Sequence, residues 1–175
     1  MSENKIHIDE YEARWIVISS AVLGVFFASL LLGAVLFNVN PPDSTSTVNP
    51  LKLDETIFAN PGVRHMGGNQ YDVVILAKMW GYTPTEIRLP VGAEATFHVT
   101  SLDIIHGFYI EKHNVNFELI PGHVAETRVT FDEVGEWRIL CHQYCGRGHQ
   151  IMHMPLIIED TDAEAVALDA ETGQE

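Results

Sequence analysis

The stretch Ala93-Glu94-Ala95-Thr96-Phe97-His98-Val99-Thr100 decides the fold of the larger part of this chain. Ala93, Ala95, Phe97 and Val99 alternate with Glu94, Thr96, His98 and Thr100. Successive side chains of a strand point to opposite faces, so this pattern describes a strand with one face in a core and one toward water. The alternation returns at Thr127, Val129 and Phe131 against Glu126, Arg128 and Thr130. It returns again at Trp137, Ile139 and Cys141 against Glu136, Arg138 and Leu140. Tyr71 to Trp80 is β-rich and largely apolar. Turn signals at Gly81-Tyr82-Thr83-Pro84, Pro90-Val91-Gly92, Pro121-Gly122 and Asp132-Glu133-Val134-Gly135 separate these runs. Residues 69–160 therefore read as an all-β sandwich of short strands, without a long helix and without an internal repeat.

Upstream the character changes. Trp15 to Phe37 is 23 residues without a charge. As a helix it is roughly 34 Å long, enough for a hydrocarbon core of about 30 Å. Only Ser19, Ser20 and Ser29 interrupt it, so it lacks the polar face of a soluble helix. A cleaved signal peptide is the rival reading. It would have a shorter apolar core after a basic stretch, whereas residues 1–14 hold Glu3, Asp9, Glu10 and Glu12 against Lys5 and Arg14. A retained transmembrane helix over 15–37 is the expectation. Lys5 and Arg14 before it, against Lys52 after it, place the N-terminus in the cytoplasm and the remainder outside. Ser20, Gly24 and Ala28 form a small-residue stripe, either a seat for another helix or ordinary membrane-helix composition.

Residues 38–68 read as a linker. They carry Pro41-Pro42, Ser44-Thr45-Ser46-Thr47, Asn60-Pro61-Gly62 and Gly67-Gly68. Residues 161–175 read as an acidic, solvated tail. The whole chain of 175 residues has 24 acidic and 10 basic residues, a formal charge of −14. That excludes a general nucleic-acid binder, which needs a basic surface. No serine of the exported part, Ser101 included, stands in a hydrolase nucleophile motif.

The chemistry concentrates in Cys141-His142-Gln143-Tyr144-Cys145-Gly146-Arg147-Gly148-His149-Gln150-Ile151-Met152, which holds both cysteines of the chain. A disulfide is one reading, and an exterior location permits it. His149 four residues after Cys145, and Met152 three after His149, favour a metal loop anchored where a strand ends at Cys141. Zinc would be satisfied by the cysteines and two histidines but leaves Met152 idle. A single blue copper uses one Cys, two His and a long axial Met, so one thiolate is surplus. Two coppers bridged by both thiolates use the whole inventory, provided a second imidazole comes from elsewhere. His106, in Asp103-Ile104-Ile105-His106-Gly107-Phe108, is the best source. His98 falls on the polar face of its strand, and His142 is expected to point outward.

Cys-x-Gln-x-Cys-x-x-x-His-x-x-Met, with Ile105-His106-Gly107-Phe108, Pro121-Gly122 and Gly135-Glu136, resembles the binuclear CuA domain of subunit II of haem-copper oxygen reductases, the cytochrome c oxidase subunit II family. The similarity runs from about Asn69 to Ile158. The single leading helix resembles the B-type branch. The resemblance implies an all-β cupredoxin-like Greek-key sandwich behind one N-terminal transmembrane α-helix. It implies two copper ions, with Cys141 and Cys145 bridging, His106 and His149 binding one each, Met152 axial and Gln143 contributing its backbone carbonyl. Other branches carry a Glu at the Gln143 position that helps hold magnesium, so no magnesium ligand is expected from this chain, and no haem. Trp80 matches an aromatic position associated with electron input, and Glu12 a carboxylate at the cytoplasmic mouth of a proton channel.

The function implied is single-electron transfer from an external donor, a cytochrome c or a small blue-copper protein, to haem in catalytic subunit I. There oxygen is reduced to water and protons are moved. A CuA-bearing nitric oxide reductase subunit and a membrane-anchored mononuclear copper carrier are the alternatives. The implied location is the cell membrane, single-pass, with the copper domain on the outer face.

Overall fold

A computed structural model describes residues 9–37 and 43–160 of the chain. The first element, α1, is a helix over Glu10–Leu36. Asp9 caps it, its carboxylate accepting the Tyr11 N–H at 2.8 Å. Glu10 and Glu12 in the first turn oppose the helix dipole, and Glu10 pairs with Arg14 one turn on. These contacts start the helix at Glu10, ahead of the apolar run. At about 1.5 Å per residue it is long enough to span a bilayer. None of its residues is buried, and it is the one described helix long and apolar enough to cross a membrane. Ser29 donates to the Phe26 carbonyl at 2.7 Å, so this hydroxyl remains satisfied in an apolar medium.

The rest is β. The strands are β1 Asp43–Thr47, β2 Gly62–Gly67, β3 Gln70–Lys78, β4 Gly81–Thr83, β5 Ile87–Pro90, β6 Ala93–Ser101, β7 His106–Ile110, β8 Val115–Leu119, β9 His123–Phe131, β10 Gly135–Leu140 and β11 His153–Glu159. One sheet has the order β1-β9-β6-β3-β2, with β4 paired to β3; the other has the order β5-β11-β10-β7-β8. β6 leaves the first sheet, β7 and β8 pair in the second, and β9 returns beside β6, a Greek-key path. β3 with β6 and β5 with β11 are parallel; the other pairs are antiparallel. As the alternation requires, Ala93, Ala95, Phe97 and Val99 are buried between the sheets. Phe97 packs against Phe108 and edge-on against Phe131, and Phe108 stacks on Phe117 at 5.1 Å. Gly81-Tyr82-Thr83, read as a turn, is the short strand β4, and Tyr82 is buried.

The linker expected over 38–68 is corrected by the described part of it. Residues 43–68 form β1, β2 and two 3-10 turns, Leu53–Glu55 and Ile57–Ala59. Leu53 and Phe58 are buried with Val74 and Val124 in a second, smaller core on the outer face of the first sheet. The cause lies in β3, where Val73, Val74 and Ile75 are consecutively buried. A strand that is apolar on both faces needs cover on both, and two apolar side chains among turn residues supply it. The domain expected at 69 thus includes residues from 43 on. The acidic tail, 161–175, lies outside the described residues, as do residues 1–8 and 38–42.

The topology also sets where the chemistry falls. β10 pairs antiparallel with both β7 and β11. The start of β7, the residue after β10 and the residue before β11 therefore share one end of the sandwich. They are His106, Cys141 and Met152.

Candidate metal centre

His106 and both cysteines bring their ligand atoms within 4.8 Å of one another, and all three are buried. The Cys141 and Cys145 sulfurs are 3.7 Å apart, too far for a disulfide bond of about 2.05 Å. His106 Nδ1 lies 4.0 Å from the Cys141 sulfur, and His149 Nδ1 3.6 Å from the Cys145 sulfur. The Met152 sulfur is 3.6 Å from that of Cys145. The Gln143 carbonyl oxygen is 3.2 Å from the Cys141 sulfur. The Gln143 amide turns away and donates to Glu118, so only its backbone faces the cluster. All six residues of the sequence-derived ligand set therefore converge.

Backbone contacts hold them. The Cys141 N–H donates to the Met152 carbonyl at 3.1 Å, closing the ligand loop on itself. The Gly107 N–H donates to the Cys141 sulfur at 3.3 Å. Gly107 has to be glycine, because a Cβ there would stand 2.4 Å from the His142 backbone nitrogen. His142 is exposed as expected, with its Nε2 at 3.2 Å from the Phe117 carbonyl. Trp80 donates its indole N–H to the Cys145 carbonyl at 2.9 Å. Its ring leaves no room for a side chain at Gly148, where a Cβ would meet Trp80 Cγ at 2.5 Å. Trp80 thus touches the ligand loop directly while remaining 44% exposed. Glu12 lies in the first turn of α1, in the other compact unit.

Two residues were not identified from sequence. Asp103 Oδ1 is 2.8 Å from His106 Nε2, and its carboxylate also accepts the N–H groups of Met79 and Ile104 at 2.8 and 2.7 Å. With Nε2 donating, Nδ1 presents its lone pair to the cluster, the usual arrangement for a ligating imidazole. Burial alone would raise the Asp103 pKa, but the His106 and backbone hydrogen bonds outweigh it and hold the carboxyl below the ordinary range. Asp103 stands three residues before the expected ligand, but that spacing does not show which imidazole nitrogen it faces. The Tyr82 hydroxyl donates to the Gly107 carbonyl at 2.6 Å. Burial foremost, then the neighbouring Cys141 and Cys145, push its pKa far up, so it remains a neutral donor.

The Cys145 thiol is pushed up to about 12, first by burial and then by its hydrogen bond and charge coupling with Cys141. Without a cation the Cys145 sulfur does not ionise cheaply in this pocket. A bound cation reverses that balance, since it binds the thiolate form. The soft thiolate, thioether and imidazole donors suit copper.

A cupredoxin-like sandwich with this sulfur-rich cluster at one end defines a copper-protein domain. The family model for cytochrome C oxidase subunit II, periplasmic domain, matches residues 80–161. Over 167 residues the chain is 41% identical to cytochrome c oxidase subunit 2 of Thermus thermophilus, covering 91% of this chain and 99% of that protein. The fold matches a chain in the cryo-EM structure of a heme-copper terminal oxidase dimer, with TM-score 0.73 and 30% identity, over 86% of this chain and 100% of the other. It also matches the crystal structure of the periplasmic domain of subunit II of cytochrome oxidase of Bradyrhizobium japonicum, with TM-score 0.54 and 21% identity, over 59% of this chain and 95% of the other. The chain belongs to the cytochrome c oxidase subunit II family. One N-terminal apolar helix followed by a periplasmic-type domain fits a single-pass membrane protein with the copper domain outside.

Proposed function

We propose that this chain takes single electrons from a soluble donor at a binuclear copper centre and passes them to haem in the oxidase's catalytic subunit I. The reading is carried by one observation. Two thiols, two imidazole nitrogens, a thioether and a backbone carbonyl meet at one spot, more donors than one four-coordinate ion uses. Cys141, Cys145, His106, His149 and Met152, with the Gln143 carbonyl, would hold two copper ions. When bound, the pair supplies one-electron chemistry with the charge shared over both metals and both thiolates.

The part played by the protein's own residues is to keep the donors still and dry. The Cys141–Met152 backbone bond, the Gly107 N–H on sulfur and the Asp103 carboxylate on His106 fix the ligands before and after the electron arrives. Cys145 and Met152 are almost wholly buried, which keeps water from the sulfurs. Trp80, in contact with the ligand loop and half exposed, is where electrons enter. The helix α1 anchors the chain in the cell membrane with its N-terminus cytoplasmic, and Glu12 stands at the cytoplasmic mouth of a proton path. Oxygen reduction belongs to the partner subunit; this chain catalyses nothing alone.

The test is to load the full chain with copper in detergent and record metal content with the EPR spectrum. Two coppers per chain and a seven-line hyperfine pattern, from one electron shared by two copper nuclei, are expected. One copper with four lines would replace this reading with a mononuclear carrier.

A further inference from the structure

Two tyrosines of the sandwich are almost wholly buried, Tyr71 and Tyr82. Burying a hydroxyl is costly unless it finds a partner. That of Tyr71, near the start of β3, finds none among the described residues. That of Tyr82 donates to the Gly107 carbonyl at 2.6 Å. This bond joins the two sheets, because β4 belongs to the first and β7 to the second. It lands on the residue that follows the ligand His106 and whose N–H donates to the Cys141 sulfur at 3.3 Å. The β7–β10 ladder pairs Ile110 with Ile139 and Tyr109 with Leu140 and stops there. With no β10 partner, Gly107 has its N–H on Cys141 and its carbonyl on Tyr82. The phenol is itself held: Tyr82 pairs with Ala77 of β3, and its ring meets Phe108 edge-on at 6.1 Å.

We propose that Tyr82 is a positioning residue for electron transfer: by anchoring the Gly107 carbonyl it keeps the Gly107 N–H on the Cys141 sulfur, and so sets how readily the centre accepts an electron. The inference rests on the electron-transfer reading above and deepens it. A donor aimed at a thiolate draws charge from the sulfur, which favours the electron-rich, reduced state. Loosening that donor lowers the reduction potential. Gly107 cannot be substituted to test this, since any side chain there would strike the His142 backbone. Tyr82 can, and Tyr71 is its control, a buried hydroxyl of the same core with no partner to lose.

The test compares the unsubstituted full chain, Tyr82→Phe and Tyr71→Phe in detergent. The first arm is metal-free and follows the Gly107 N–H by NMR. Tyr82→Phe is expected to move this resonance upfield and to speed its hydrogen exchange about threefold or more; Tyr71→Phe is expected to change neither. The second arm loads copper and measures the midpoint potential with the EPR spectrum. Tyr82→Phe is expected to keep its copper and to shift the reduction equilibrium about threefold or more toward the oxidised state, with Tyr71→Phe unchanged. 3-Fluorotyrosine, a stronger donor of nearly the same shape, is the converse. Incorporated into the unsubstituted chain it raises the potential, and incorporated into Tyr82→Phe it does not. An unchanged potential in Tyr82→Phe, an equal change in Tyr71→Phe, or a fluorotyrosine effect that survives Tyr82→Phe overturns the inference. Should Tyr82→Phe not fold, a potential unmoved by fluorotyrosine overturns it. Failure of the unsubstituted chain to take up a copper pair sinks the proposed function instead, and the metal-free arm still decides whether Tyr82 positions the Gly107 N–H.

Discussion

The two ends of this domain's architecture are built on different physics. At the metal end a few polar contacts fix a few atoms: an N–H on a sulfur, a carboxylate on an imidazole, a tryptophan N–H on a carbonyl. On the outer face of the first sheet, residues 43–68 are held largely by apolar burial of Leu53 and Phe58 over Val74 and Val124. Apolar burial contributes in proportion to area and tolerates small shifts. A ligand set does not, because a sub-ångström displacement changes what it binds. Substitutions at the first end should therefore alter chemistry at little cost in stability, and substitutions at the second should do the reverse.

The largest separation is expected from Cys145→Ser. It removes one of two sulfurs 3.7 Å apart, so two-copper loading and the shared-electron spectrum are lost while the metal-free fold persists. Copper content, EPR and circular dichroism together read this, and an unchanged spectrum would refute the bridging role. Phe58→Ala is the converse. Truncating a phenylalanine this buried costs about 3–5 kcal/mol, measured by denaturant unfolding, with the copper spectrum of the folded fraction unaltered. A spectral change there would show the cover and the metal end to be coupled.

Asp103→Ala removes the acceptor at His106 Nε2 and at the Met79 N–H. Loss of such a supporting partner lowers metal affinity roughly 10–100-fold, and competitive chelator titration would measure it. Asp103→Asn, which keeps one carbonyl oxygen, should recover part of the loss. Acidity tests the same end. The Cys145 thiol is protonated at neutral pH in the metal-free protein, its pKa pushed up to about 12. Copper uptake must release that proton, so apparent affinity rises with pH, about tenfold per unit for each proton released. Affinity independent of pH would contradict a thiolate ligand. The smallest effect belongs to Gln143→Ala. Only the carbonyl of this residue faces the cluster, so copper stays bound, and the hydrogen bond to Glu118 is all that goes. Full loss of copper would assign the side chain a role in shaping the loop.

Much of this was legible in advance because each signal was local. Alternation over Ala93–Thr100 produced β6 with Ala93, Ala95, Phe97 and Val99 buried and Glu94, Thr96 and His98 exposed or half-buried, but Thr100, expected toward water, is buried and donates to the His123 carbonyl. The Cys-x-Gln-x-Cys-x-x-x-His-x-x-Met spacing lies within one loop, so its convergence needed no knowledge of distant packing. His106, about 35 residues upstream, was reachable through its apolar context and its resemblance to the family pattern. The misjudged part was the segment after α1. Its proline, serine and asparagine content does mark turns, but turns that return the chain to a sheet look like turns that leave it. Only the double-faced apolar run in β3 hinted that something must cover it. Asp103 was missed for a related reason: a carboxylate near a ligand gives no sign in one dimension of which imidazole nitrogen it faces.

The sequence by itself determined the membrane-length helix, the β character of the domain, the donor inventory and the spacing that favours copper over zinc or a disulfide. These follow from residue type and short-range periodicity, which the linear order contains in full. The tertiary structure alone decided that residues 43–68 belong to the domain. It alone put Asp103 behind His106 and seated Trp80 on the Cys145 carbonyl. Each of these depends on which strands lie side by side, and that is set by burying many residues at once across two sheets, a collective result that no local stretch encodes.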